Sequence, residues 1–419
     1  MKSDSSASST SREYDPLRPD QNRDPYPVIA ALLDECPVSR SDTYDLWVVA
    51  PYAEVRRGIS EFETFSSKTP GTGTAATPEF CPSAREVLST CPVLPPKLVL
   101  DDPPTHTNDR RPIQRALSVS RIQQMEPRVV DLAFGLLNKF KQRGEVEFID
   151  QFAGPLPITV LEELLGIPPA MHGQFEAWAD ILALAQSAKL TEEEQISVAE
   201  VRRDTQLFIQ SIIDDRRRNL RDDLVSDLID ATRPDGTRFS DLELLSILLQ
   251  IVVAGHETTT SLLGSMFLIL AKNPGMADEL RDDKSLHERF IHETLRFSPP
   301  VTGRYRTTTT RTMVAGSELN AGDRVHFLIS AANRDGRIFD DPSVFDLHRA
   351  NVKSHLSFGF GVHFCVGSQL ALLECKVALQ ILLPALSNLR LKEDFDEEWS
   401  KHFHFRGLTS LEIEFDPSP

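Results

Sequence analysis

Ten residues near the C-terminus, FGFGVHFCVG at 358–367, hold the densest set of groups able to do chemistry. Phe358, Gly361, His363, Cys365 and Gly367 stand at short fixed intervals, and the glycines at 359, 361 and 367 forbid a regular helix or strand. From Val366 onward (VGSQLALLECKVALQILL) apolar residues recur at helical spacing. Cys365 is therefore expected where a rigid loop meets a helix N-terminus. Free backbone N–H groups and the helix dipole favour an anionic sulfur there, and such a thiolate is a ligand for iron. Two other readings use the same residues. One is a buried structural cysteine, the commoner fate of a lone thiol. The other is a zinc site from His355, His363, Cys365 and Cys375, which no Cys-x-x-Cys or His-x-x-x-His spacing supports.

A second set interrupts a long apolar run: Ala254-Gly255-His256-Glu257-Thr258-Thr259-Thr260. Glycine and threonine are poor choices for a buried helix, and an acid there is costly unless paired. A local rule broken in mid-element marks a functional site. Glu257 can relay protons and Thr258 can offer a hydroxyl. The competing reading is a threonine back-bonded within a core helix. His256 reads as structural or outward-facing. A third set lies in DDPPTHTNDRRPIQRALS at 101–118, where His106 and Arg110 are four apart. On a helix they share a face suited to a carboxylate, although the stretch also reads as a solvated basic helix start.

Taken in order, these patterns resemble the cytochrome P450 superfamily, in its soluble bacterial type. The resemblance runs from about residue 25 to the C-terminus. It implies a mainly α fold with smaller β regions (α+β), a long central helix over the haem and a cysteine loop beneath it. It implies haem b (iron protoporphyrin IX) with Cys365 as the axial thiolate, which pushes electron density towards O–O cleavage. Phe358 and His363 of the loop, and Ala254 and Gly255 of the long helix, would lie against the cofactor. Gly255 would let a flat ligand approach the backbone. His106 and Arg110 would hold one propionate and Arg306 the second, with Arg304 as the nearest rival. Glu257 and Thr258 match the acid and alcohol of the oxygen-activation motif. Glu293-x-x-Arg296 and Arg349 match a buried lock beneath the haem loop, and Val301, Thr302 and Gly303 fall where the substrate pocket is lined. The chain departs from the pattern at Pro112, inside a helix, and at Arg311, where an acid is usual. Phe360 stands at a commonly polar position, and Leu372 where arginine is frequent.

The elements that must position these groups are legible in outline. Helices are expected over 26–36, 52–60 and about 83–89, and a strand over 46–50. Residues 65–98 read as an otherwise irregular loop. Residues 125–220 read as mostly helical, with DDRRRN at 214–219 a solvated helix end. Ser240 and Glu243 form a capping-box pattern that opens a helix running to Lys272, where Asn273-Pro274-Gly275 stops it. Residues 285–298 read as a helix, 304–330 as strands, and 405–415 as a strand pair with a glycine turn. The polar segment 1–24 is expected to be disordered, and 25–419 to be one catalytic domain.

Composition bounds the function. The 419 residues carry 45 Lys plus Arg against 62 Asp plus Glu, a net charge of -17, which argues against nucleic acid as a partner. Five cysteines without framework spacing suit a reducing cytoplasm. The N-terminus has no apolar run for a signal peptide or membrane anchor. The resemblance implies a monooxygenase that inserts one atom of dioxygen into a medium-sized hydrophobic molecule. Electrons would come from a separate ferredoxin or flavodoxin-type donor with its reductase, since the chain carries no flavin or iron–sulfur motif. The alternatives are a haem-thiolate peroxygenase, isomerase or reductase, and a non-catalytic haem carrier or sensor.

Overall fold

A computed structural model describes residues 13–68, 80–184 and 190–417. The chain opens with α1 (Pro19–Arg23) and α2 (Tyr26–Glu35), then the hairpin β1 (Val38–Ser41) and β2 (Leu46–Val49). Next come α3 (Tyr52–Ser60), β3 (Phe65–Ser66), α4 (Pro82–Ser89), α5 (Thr105–Ala116), α6 (Val119–Leu137) and β4 (Glu145–Glu147). The helical middle is α7 (Pro155–Leu164), α8 (His172–Leu184), α9 (Glu192–Arg218) and α10 (Leu224–Asp230). The long α11 (Asp241–Lys272) leads to α12 (Pro274–Asp282) and α13 (His287–Phe297). Strands β5 (Gly303–Thr308), β6 (Thr312–Val314), β7 (Ser317–Leu319) and β8 (Arg324–Leu328) follow. The chain ends with α14 (Ile329–Ala332), α15 (Ser368–Ala385), β9 (Leu386–Leu391) and β10 (Glu412–Pro417).

The larger sheet has the order β1-β2-β8-β5-β3, with β2 and β8 parallel. Helix α3 lies close on it because residue 58 has no side chain: a Cβ there would sit 2.0 Å from the Phe327 ring. Helix α11 begins as its sequence directs. The Ser240 hydroxyl accepts from the Glu243 N–H, and the Glu243 carboxylate accepts from the Ser240 N–H at 2.9 Å. Its C-terminal half, Leu262 to Ala271, is buried throughout, so burial on every side, rather than one apolar stripe, holds it in the interior. Helix α5 continues past Pro112 to Ala116.

Helix α13 is tied to the segment leading into the cysteine loop by buried charge. Arg296 and Glu293 are fully buried and 2.8 Å apart, and Arg349 Nε donates to the same Glu293 carboxylate at 3.1 Å. Arg296 also donates to the carbonyls of Asn333, Pro342 and Val344 at 2.8–3.0 Å. Asp346 N–H donates to Glu293 Oε1 at 2.9 Å.

Three expectations are corrected. Residues 13–24 are ordered rather than disordered: α1 is helical, and Tyr14 is buried against Leu46, Val48 and Phe403. The tail does not fold as its own strand pair. Phe405 and Leu408 make single bridges to Val301 and Trp399, while β10 pairs with β4 and β9, so long-range pairing overrides the local alternation. The end of α9 is not wholly solvated, because Arg216 is buried and donates to Asp223 at 2.6 Å.

Replacing Glu293 by Ala leaves two arginines buried without their anion, which costs roughly 3–5 kcal/mol. The exposed pair Glu288–Lys353 is the comparison, and its loss costs under about 1 kcal/mol. Denaturant unfolding of the two variants measures this, and equal losses would contradict the assignment.

Candidate functional site

The cysteine loop is set by its backbone. Gly359 and Gly361 adopt φ of 77° and 72°, a region side chains disfavour, and the Cys365 N–H donates to the Phe358 carbonyl at 2.7 Å. A Cβ on Gly361 would meet Ser60 of α3 at 3.0 Å, so glycine also lets the loop approach that helix. Gly367 then caps α15. The Cys365 sulfur faces the N–H groups of Gly367 and Ser368, as the loop-to-helix reading expects. Burial nevertheless pushes the thiol up; those N–H groups and the charges of Arg304 and Arg110 pull the other way. A coordinated metal removes such a proton outright.

Helix α5 closes one wall. Arg110 Nη2 donates to the Phe364 carbonyl of the loop. The His106 and His363 rings lie 4.1 Å apart, and His363 Nε2 pairs with Ser67 Oγ at 3.1 Å. Burial, then Arg110, takes His106 down to about 4, and burial with the surrounding arginines lowers His363 further, so both rings are neutral. From β5, Arg306 is buried and donates to the carbonyls of Tyr305 at 2.7 Å and Ile59 at 3.5 Å. Burial, then the charge of Arg304, brings its guanidinium down to about 10. Phe358, His363, Cys365, His106, Arg110 and Arg306 are thus gathered around one place.

Ala254, Glu257 and Thr258 stay on α11, without a hydrogen bond to the loop among the described residues. Spaced i, i+3 and i+4, they share a face. Val252, His256 and Thr259 on the other sides are buried, whereas Ala254 is exposed and Glu257 and Thr258 are half-buried. A helix that runs through the interior therefore has one stretch that protein does not cover. The Thr258 hydroxyl donates to the Ala254 carbonyl at 2.7 Å, and Glu257 has no partner among the described residues. Gly255 is a correction. A Cβ there would meet Leu161 of α7 at 3.0 Å, so the missing side chain admits α7 against α11 and not a flat ligand. His256 is buried, as a structural residue would be.

The zinc reading finds no support: among the described residues no group of three metal-ligating side chains gathers. His355 pairs with His292 at 3.0 Å, and Cys375 is buried in α15.

Sequence reasoning missed a square of charge behind α5. Lys97 Nζ lies 2.9 Å from Asp109 and 2.7 Å from Glu243. Arg233 lies 2.6 Å from each of the same two acids. The square joins the first turn of α11 to α5, one residue before Arg110. Its paired members stand 10 residues apart for Arg233–Glu243, 12 for Lys97–Asp109 and more than a hundred for the other two pairs, so no local spacing announces them.

These features fit a haem. An uncovered helix face suits a flat apolar ring. Arg110 and Arg306, which form no ion pair among the described residues, and a buried His106 Nδ1 without a hydrogen-bond partner there, suit its two carboxylates. The loop sulfur suits its iron.

Comparison with known proteins agrees. The family profile "Cytochrome P450" matches residues 175–409. Cytochrome P450 107B1 of Saccharopolyspora erythraea is 34% identical over 388 residues, covering 91% of this chain and 93% of the relative. The 6-deoxyerythronolide B hydroxylase of the same organism is 32% identical, covering 93% and 96%. The solved structure of cytochrome P450 CYP109Q5 from Chondromyces apiculatus superposes with a TM-score of 0.86 at 29% identity, covering 96% of this chain and 98% of that one. The chain belongs to the cytochrome P450 family. It is a haem-thiolate monooxygenase, an oxidoreductase that incorporates oxygen from dioxygen.

The charge square gives a pH dependence. Lys97, the Ser240 N–H and Arg233 outweigh burial and hold the Glu243 carboxyl at about 2, below its ordinary 4.5. A depressed folded-state pKa stabilises the fold above the unfolded value, and the gain is lost as pH falls from about 4.5 to about 2. The stability gap between wild type and Glu243→Gln is expected to be full at neutral pH and to close over that window. A gap independent of pH would contradict the ion square.

Proposed function

We propose that this chain oxidises a medium-sized hydrophobic substrate at a haem b held by Cys365, with Glu257 and Thr258 handling protons. The observation that carries the reading is the uncovered Ala254–Glu257–Thr258 face in a helix whose next turns, from Ser261 to Ala271, are buried throughout. When bound, the haem supplies dioxygen binding and the oxidising power; the protein supplies ligand, protons and orientation.

Cys365 is held for iron by a loop that its own N–H closes onto Phe358. His106 and Arg110 bind one propionate and Arg306 the other, as charge-assisted hydrogen bonds. Phe358 and His363 brace the loop side. Ala254 offers only a methyl group, which would leave space for the cofactor against this face. Thr258, whose hydroxyl donates to the Ala254 carbonyl, would supply a hydroxyl beside it. Glu257, half-buried and without a partner among the described residues, carries protons inward to Thr258. Buried Val301 and Thr302 border the substrate and help exclude water.

Substrate class and donor are parts of the same proposal. Among relatives, two are hydroxylases by name, the 6-deoxyerythronolide B hydroxylase and a vitamin D(3) 25-hydroxylase of Pseudonocardia autotrophica. A ferredoxin or flavodoxin-type donor, with its reductase, would dock by charge on the cysteine side. Arg56 stacks on the Phe360 ring of the loop at 4.0 Å, and Arg111 and Arg115 are exposed on α5. Residues 25–419 would act as one catalytic domain in the cytoplasm.

The reduced, carbon-monoxide-bound protein is expected to show a thiolate spectrum that Cys365→Ala abolishes; an unchanged spectrum would remove Cys365 from its role. Thr258→Ala is expected to lower product formation about 100-fold or more while donor consumption continues and peroxide accumulates. Product made with labelled dioxygen should carry the label, and unlabelled product would favour the peroxygenase or isomerase reading. Donor-supported reduction should weaken steeply with salt, and salt-insensitive reduction would exclude charge-guided docking.

A further inference from the structure

One cation of the site has no task. Strand alternation puts Arg304 and Arg306 on the same face of β5, opposite Phe327 and Val325 of β8, while Tyr305 turns the other way to stack on His326 at 4.3 Å. Arg306 is bound by two backbone carbonyls and Arg110 by one. Arg304 is half-buried, yet it has no hydrogen bond or ion pair among the described residues. Its charge acts on Cys365, His363 and His404, which places it within the site.

The acids near this place are engaged. Asp101 pairs with Lys68 at 3.0 Å, and Asp102 accepts from Ser66 Oγ and from the Ser67 N–H at 2.9 Å. On the function proposed above, the two haem carboxylates go to His106 with Arg110 and to Arg306. That leaves one guanidinium over. A partly desolvated cation without an anion is costly, and the planar fork of arginine matches a carboxylate or phosphate in two parallel bonds.

We propose that Arg304 anchors an oxyanion on the substrate, so that the molecule oxidised is an organic acid, a carboxylate or phosphate ester with an apolar body. Arg304 is then a specificity-determining residue: it holds the head group at β5 and leaves the apolar body to reach the Ala254 face. This rests on the haem-thiolate reading and narrows its substrate.

The test is a spectral titration of the holoprotein with matched pairs. The acids are dodecanoate, dodecyl phosphate and 4-butylbenzoate, and their neutral partners are methyl dodecanoate, dodecanol and methyl 4-butylbenzoate. At least one acid is expected to shift the resting haem band at a concentration about tenfold or more below its neutral partner. Arg304→Gln should erase that preference with haem content unchanged, and Arg304→Lys should keep part of it. No preference for any acid would overturn the proposal. So would an Arg304→Gln variant that keeps the preference but loses haem, since the residue would then be holding a propionate. A normal thiolate band with carbon monoxide in either case leaves the monooxygenase reading standing; its absence would sink both.

Discussion

Two buried arginines and one buried glutamate decide whether the rest of this fold can exist. Charges of that kind are tolerated only when every one is met, and here each is. Glu293 is met by Arg296, Arg349 and a backbone N–H, while Arg296 spends its remaining N–H groups on three carbonyls. Those carbonyls belong to the irregular chain that leads into the cysteine loop. The cluster therefore replaces the ladder hydrogen bonds that this segment lacks, and it is directional where apolar packing is not. Asn333 extends the same logic: its side chain accepts from the Leu356 N–H at 2.7 Å and donates to Ser357 Oγ at 2.8 Å, just before the loop begins.

A second set of charges works on the opposite side of the site. Helix α11 needs an anion at its first turn, and Glu243 serves as both cap and ion-pair partner. Because Asp109 completes the square, the helix whose middle is left uncovered is fixed to the helix that carries His106 and Arg110. Site geometry thus comes from two buried ionic clusters acting on three helices. Between them the site is cationic and partly dry, so its histidines stay neutral and its arginines seek oxyanions.

Several local readings of the sequence were right because their causes are local. The capping box at Ser240, the stop at Asn273 and the glycine-shaped loop at 358–367 depend on neighbours within one turn. Readings failed where the cause was distant. Gly255 looked like a gap for a ligand, but only the packing of α7 shows that Leu161 fills it. The alternation at 405–415 looked like a strand pair, but β4 and β9 claim the chain at β10. Tyr14 lies in a polar stretch that reads as disordered, and a core assembled from β2, β8 and the C-terminal segment buries it. Thr258 is back-bonded, as one of its two readings has it, in a helix whose face is open at that point.

By itself the sequence determined the class of protein and singled out Cys365 and the Glu257–Thr258 pair as its candidate groups, because short-range spacing and residue type carry that information. Tertiary structure alone decided which charges are spent and which are spare. Arg304 and Arg306 stand two apart and look alike in one dimension. One is tied to backbone carbonyls and the other has no hydrogen bond or ion pair among the described residues, and only the folding of β5 against α3 and β8 makes that difference.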